Sequence, residues 1–222
     1  MKTLIATLIL FICLNTFGQN AHKVDQIELI SNIQTWHKKD SKMKLAFWIP
    51  NSYWRIALEG NPEVKDESIK LLESIFENYV VMCFADVQII TGGGFTFTSK
   101  IDLKNTASII DDKKNVYYPL QEKDFSIELN TILDNIRPMF AKMLGQLGEG
   151  MHFYLFEIKD KKGVNIINEF EKGNFTVKHS NDEFKWNLPL PALLPSKYCP
   201  TDNEIMKGNW SFCPIHGVKL SD

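Results

Sequence analysis

Tyr79-Val80-Val81-Met82-Cys83-Phe84-Ala85 is a continuous apolar run at the head of a β-rich segment spanning residues 80–90. Its branched and aromatic side chains suit a strand. Gly92-Gly93-Gly94 breaks the segment and reads as a turn. Within such a run Cys83 is expected to be a buried, inert thiol. Upstream, Asn61-Pro62 has the residue types of a helix start, a cap followed by proline. Val64, Ile69, Leu72, Ile75, Phe76 and Tyr79 then form an apolar stripe. Downstream, Phe95-Thr96-Phe97-Thr98 alternates as a half-buried strand does.

Further out the same two periods recur. Residues 24–38 carry Ile27, Ile30 and Ile33 or Gln34 at helical spacing, which places His37 at a solvated helix end. Leu45-Ala46-Phe47-Trp48-Ile49 is a short apolar run stopped by Pro50, and residues 51–58 suit a short helix closed by Gly60. Residues 107–110 and 116–118 flank the charged loop Asp111-Asp112-Lys113-Lys114-Asn115, a hairpin pattern. The strongest helical stretch is 125–147, with Pro138 inside it predicting a kink or two abutting helices. Residues 151–158 form an aromatic strand, and Ser180-Asn181-Asp182 joins a second hairpin, so that His179 beside the turn is expected to be exposed. These elements predict an α+β body: a mostly antiparallel sheet with two or three helices packed on one side, and no internal repeat.

The ends of the chain differ from its body. Met1-Lys2, an apolar run from Leu4 to Cys13, and Thr16 and Gly18 before Gln19 have the features of a secretory signal. The expected organisation is a signal peptide at 1–18, the α+β body at 19–187, a Pro-rich connector at 188–196 and a C-terminal module at 197–222. Export to the periplasm or the medium follows, with no transmembrane segment after signal cleavage. A net charge of −2 without any dense basic run argues against a nucleic-acid partner. An apolar fraction of 44 % argues against disorder.

Cleavage would remove Cys13 and leave Cys83, Cys199 and Cys213. The last two head matching turns, Cys199-Pro200-Thr201-Asp202 and Cys213-Pro214-Ile215-His216-Gly217. Each turn has a metal-ligand type at its first and fourth positions, so Cys199, Asp202, Cys213 and His216 are candidate ligands for one tetrahedral zinc. Gly217 supplies a backbone able to take positive φ, and Trp210 and Phe212 alternate into the second turn. With these residues the segment 199–220 resembles a zinc ribbon with rubredoxin-type knuckles, although the fourth positions here are Asp202 and His216 in place of cysteine. More loosely, the chain resembles exported bacterial proteins that end in such a ribbon. The resemblance implies a structural zinc site and no reaction. A Cys199–Cys213 disulfide, favoured by export, and a ribbon without metal are the alternatives.

Other residues invite sharper readings that the pattern does not support. Gly92-Gly93-Gly94 lacks the lysine of a phosphate loop, and Asp111-Asp112 lacks the spacing of a calcium loop. Trp48, Tyr53 and Trp54, and also Met139, Met143 and Met151, are expected in the core. His152 is expected to be a core or edge histidine. The leading expectation is a non-enzymatic binding or interaction module for a protein partner, with a structural zinc tail. A hydrolase with a cleft near Trp48, Trp54 and His152 is the second, and a periplasmic metal handler using Cys199, Cys213 and His216 as labile ligands is the third.

Overall fold

The computed structural model of the chain describes residues 24–220; the expected signal segment lies outside the described residues. The chain begins with α1 (Gln26–Ile33), β1 (Gln34–Lys39), β2 (Lys42–Ile49), α2 (Ser52–Leu58) and α3 (Asp66–Phe76). It continues through β3 (Tyr79–Ile89), β4 (Phe95–Phe97), α4 (Lys100–Thr106), β5 (Ser108–Ile110) and β6 (Val116–Tyr117). After α5 (Ile127–Leu144), α6 (Gln146–Glu149) and β7 (His152–Glu157) come β8 (Gly173–His179) and β9 (Asp182–Leu188). The short strands β10 (Lys197–Tyr198) and β11 (Ile205–Met206) end the described elements. The architecture is α+β, and every strand pair is antiparallel.

Two sheets form the body. The larger has the order β1-β2-β3, with β7 and β4 sharing the far edge of β3. The smaller has the order β6-β5-β8-β9. The opening run lies on β3 and is apolar at every position because both of its faces are buried. Val80, Met82 and Phe84 face the smaller sheet, where they join Ile109, Phe175, Val177, Phe184 and Trp186. Val81, Cys83, Ala85 and Val87 face the other way, against Phe76 of α3 and Leu129, Leu133 and Ile136 of α5. Trp48 meets Phe175 edge-on at 4.9 Å and Phe175 stacks on Trp186 at 5.1 Å, joining the two sheets. The result is three layers, with α3, α5 and Trp54 of α2 on one face of the large sheet and the small sheet on the other, where α1 and α4 bury Leu29, Ile33 and Leu103.

Several local expectations change. The helical spacing over 24–38 yields only α1, capped by the Asp25 carboxylate, which accepts from the Ile27 and Glu28 N–H groups. Ile27, counted in the apolar stripe, is 80 % exposed. From Gln34 the chain pairs with β2, so His37 lies on a strand and stacks on Phe184 at 4.5 Å, not at a helix end. Asn61-Pro62 does not start a helix. Asn61 Oδ1 accepts the Glu63 N–H in a turn, and α3 begins where Asp66 and Glu67 put negative charge in the first turn. Of the six described α-helices, α2, α3 and α5 supply the set packed on one side of the sheet. Pro138 lies within α5, and the break between abutting helices falls instead at Gly145, whose φ is +58°.

The Pro-rich stretch is packed rather than free-standing. Leu190, Ala192 and Leu193 are buried with the body core, and the Ala192 N–H donates to Asn32 Oδ1 of α1 at 2.9 Å. Among the described residues no helix is long and apolar enough to cross a membrane.

Candidate metal centre

The C-terminal module is built from two turns with one hydrogen-bond pattern. In the first, the Cys199 N–H donates to Glu204 O at 2.9 Å and the Asn203 N–H donates back to Cys199 O at 2.8 Å. In the second, the Cys213 N–H donates to Val218 O at 2.8 Å and the Gly217 N–H donates back to Cys213 O at 2.9 Å. The fifth residue of each turn must be left-handed to close this ring. Asn203 has φ +61° and Gly217 has φ +66°. Gly217 is readable in the sequence; Asn203 was missed, although asparagine is the side-chain-bearing residue that tolerates that region best. Each turn caps a small hairpin: Lys197 and Tyr198 pair with Met206 and Ile205, and Phe212 bridges Lys219.

This twin geometry brings the candidate ligands together. Sulfur atoms of Cys199 and Cys213 and a ring nitrogen of His216 lie within 4.8 Å of one another. His216 Nδ1 stands 3.4 Å from Cys199 Sγ and 3.6 Å from Cys213 Sγ. With zinc–sulfur and zinc–nitrogen bonds of ~2.3 and ~2.0 Å, a tetrahedral site has S···N edges of about 3.5 Å, which the two S···N distances match. Asp202 flanks this trio, with Oδ2 3.6 Å from His216 Nδ1 and Oδ1 accepting the Glu204 N–H at 3.0 Å. Both cysteines are free thiols and both are buried, whereas His216 and Asp202 form the solvent-facing edge.

Electrostatics divides the two thiols. Burial opposes ionisation of Cys213, but the N–H groups of His216 and Ile215 and the His216 ring outweigh it and lower its pKa. At Cys199 burial, with help from the Cys213 and Asp202 side chains, outweighs the Thr201 and Asp202 N–H groups and raises the pKa. A cation between the sulfurs would hold both as thiolates.

The module's own core is small: Cys199, Met206, Cys213 and Leu220, with Trp210 and Val218 against it. It is seated on the body. A side chain at Gly208 would start 2.3 Å from Pro195 O, and Lys207 Nζ lies 3.3 Å from Glu28 Oε1 of α1.

The remaining candidates are dispersed. Trp48 and Trp54 are buried in separate clusters on opposite faces of the large sheet, so they form no cleft with the half-buried His152. Cys83 is fully buried, and desolvation raises its pKa far above the ordinary range. Met151 is core; the side chains of Met139 and Met143 lie outside the described residues. Asp111 spends its oxygens inside its own turn, on the Asn115 N–H and Nδ2 at 2.8 Å and on the Tyr117 hydroxyl at 3.0 Å. His179 is not exposed but wholly buried at the end of β8. It stacks on Phe84, and Nδ1 sits 3.1 Å from Thr106 Oγ1. A hairpin turn marks where the chain reverses, not which face its last strand residue presents.

No known family, curated protein or solved structure matches the chain.

Proposed function

We propose that the protein is an exported, non-enzymatic binding module whose residues 197–222 form a zinc ribbon. Zinc is held by Cys199 Sγ, Cys213 Sγ and His216 Nδ1, with Asp202 Oδ2 completing the tetrahedron. Two sulfurs and an imidazole suit this ion, and a carboxylate is an acceptable fourth donor. The observation that carries the reading is the repeated ring of hydrogen bonds, together with two sulfurs and an imidazole nitrogen within 4.8 Å of one another. Bound zinc supplies cross-linking of the two turns. Asp202 and His216 keep their orientation through the Glu204 N–H and the turn backbone. The dispersal of Trp48, Trp54 and His152 supports binding over hydrolysis.

The test is metal analysis of the exported, unreduced chain beside Cys199→Ser and Cys213→Ser. One zinc per chain, lost in both variants, is the expected result; equal metal content in all three contradicts it. The solvent-facing edge of the site favours a second reading, a labile metal handler. Zinc that leaves the folded chain rapidly to a chelator supports that reading, and zinc retained until the module unfolds rejects it.

A further inference from the structure

A cleft of about 780 Å³ lies away from the ribbon, between α4 and residues 118–123. That volume falls within the ~300–1,000 Å³ of ligand sites. Its walls carry Lys100, Lys104 and Lys123 against one carboxylate, Glu122, on a chain whose net charge is −2. Lys100 pairs with Glu122 at 2.5 Å. Lys104 reaches only a neutral partner, Gln121 Oε1 at 3.1 Å, and Lys123 has no ion-pair partner among the described residues. Lys100 and Lys104 stand four residues apart on α4, a spacing at which like charges repel. Glu122, the carboxylate that lines the cleft, registers this field. Burial opposes ionisation of Glu122, yet Lys100, Lys104 and Arg137 hold its pKa low.

The same walls carry two large apolar side chains that the fold leaves in water. Ile101 is 70 % exposed and Tyr118 is 71 % exposed. Two unneutralised ammonium groups beside an exposed aliphatic and an exposed aromatic group suit a ligand with both carboxylates and apolar surface. We propose that this cleft binds an acidic peptide segment bearing an apolar side chain, with Lys104 and Lys123 facing its carboxylates and Tyr118 and Ile101 facing its apolar residue. The proposal rests on the reading of the body as a binding module; the zinc site takes no part in it. Three lysines are fewer than the ~6–10 phosphate contacts of a duplex-binding surface and the ~4–8 basic residues of a lipid-binding cluster.

The test titrates the full mature chain with a short fluorescent peptide in which glutamates flank a central phenylalanine. Its glutamine counterpart is the control. The expected result is saturable binding of the acidic peptide only, weakening as salt rises from ~50 to ~200 mM. The double variant Lys104→Gln/Lys123→Gln should weaken it about tenfold or more, and Tyr118→Ala by a similar factor with unchanged salt dependence. Tyr118 and Lys123 are exposed and Lys104 is half-buried, and thermal melts of the variants report that the fold is kept. Equal binding of the two peptides overturns the proposal. So does wild-type affinity in the double variant, no binding at all, or tighter binding of a DNA oligonucleotide or of phosphatidylserine vesicles. Zinc content read on the same sample keeps the two outcomes separate: an empty ribbon with intact peptide binding refutes only the ribbon, and the converse only the cleft.

Discussion

The large sheet and the C-terminal module of this chain solve the same problem by different means. On β3 every residue from Val80 to Ala85 is buried, alternately against the small sheet and against α3 and α5. The module has Met206 and Leu220 as its buried apolar residues besides its two cysteines, with Trp210 and Val218 half-covered. Buried apolar surface contributes roughly 25 cal/mol per Å², so the large sheet draws far more from it than the module does. The candidate ligands Cys199 and Cys213 occupy the module's centre, where a core would lie. On the proposed zinc reading the module should therefore depend on the ion and the body should not.

The strongest way to break this contrast is to remove the ion. Structural zinc in such small modules is worth ~10–16 kcal/mol, so chelation or Cys213→Ser should release the whole module. Hydrogen exchange at the Cys199, Cys213 and Leu220 amides should then become fast, while Phe84 and Leu155 in the large sheet stay protected. Loss of protection in both regions together would merge what the contrast separates. The converse change is Phe84→Ala. It empties a site with no exposure between the sheets and should destabilise the body by ~3–5 kcal/mol in urea, with zinc content unchanged.

A third change works on the seam between the regions. Gly208→Ala drives a methyl into Pro195 O and Leu194 and should cost about 1–3 kcal/mol. Thermal unfolding should detect it while zinc stays bound; loss of zinc would mean that the seam, and not the ion, shapes the turns. The smallest effect is a pH dependence confined to the body. Burial lowers the His179 pKa, with Asp86 and Asp182 opposing and Lys44 assisting. The unfolded chain therefore takes up this proton first. The contribution is complete above about pH 6.5 and is lost as pH falls towards the lower folded value. Urea midpoints should show an acid-side decline that His179→Gln flattens, and an unchanged decline in that variant would assign the loss elsewhere.

What could be read in advance followed the range of each interaction. The β3 run, the two hairpins and the twin turns are local, and their residues announce them: Gly92-Gly93-Gly94, Ser180-Asn181 and the Cys-Pro pairs. The α5 stripe was legible, but its stop at Gly145 competed with the more conspicuous Pro138. Strand β1 was not legible because its evidence lies elsewhere, in the register with β2 and in Phe184 beneath His37. His179 failed for the same reason, since its cover comes from Phe84 and Thr106, distant in sequence. At the candidate metal centre spacing alone picked out Cys199, Asp202, Cys213 and His216, of which Cys199, Cys213 and His216 come within 4.8 Å of one another. The matching left-handed residue, Asn203, became visible only when the two turns could be compared atom by atom.

The central claim is that zinc, and not a disulfide or apolar packing, holds residues 197–222 together. Native mass spectrometry of the chain expressed through an export pathway and purified without reductant tests it in one spectrum. The account predicts a mass heavier by one zinc ion, with Cys199 and Cys213 reduced and blocked by alkylating reagent only after chelation. A metal-free chain lighter by two hydrogens, with Cys83 as its sole thiol, would contradict it.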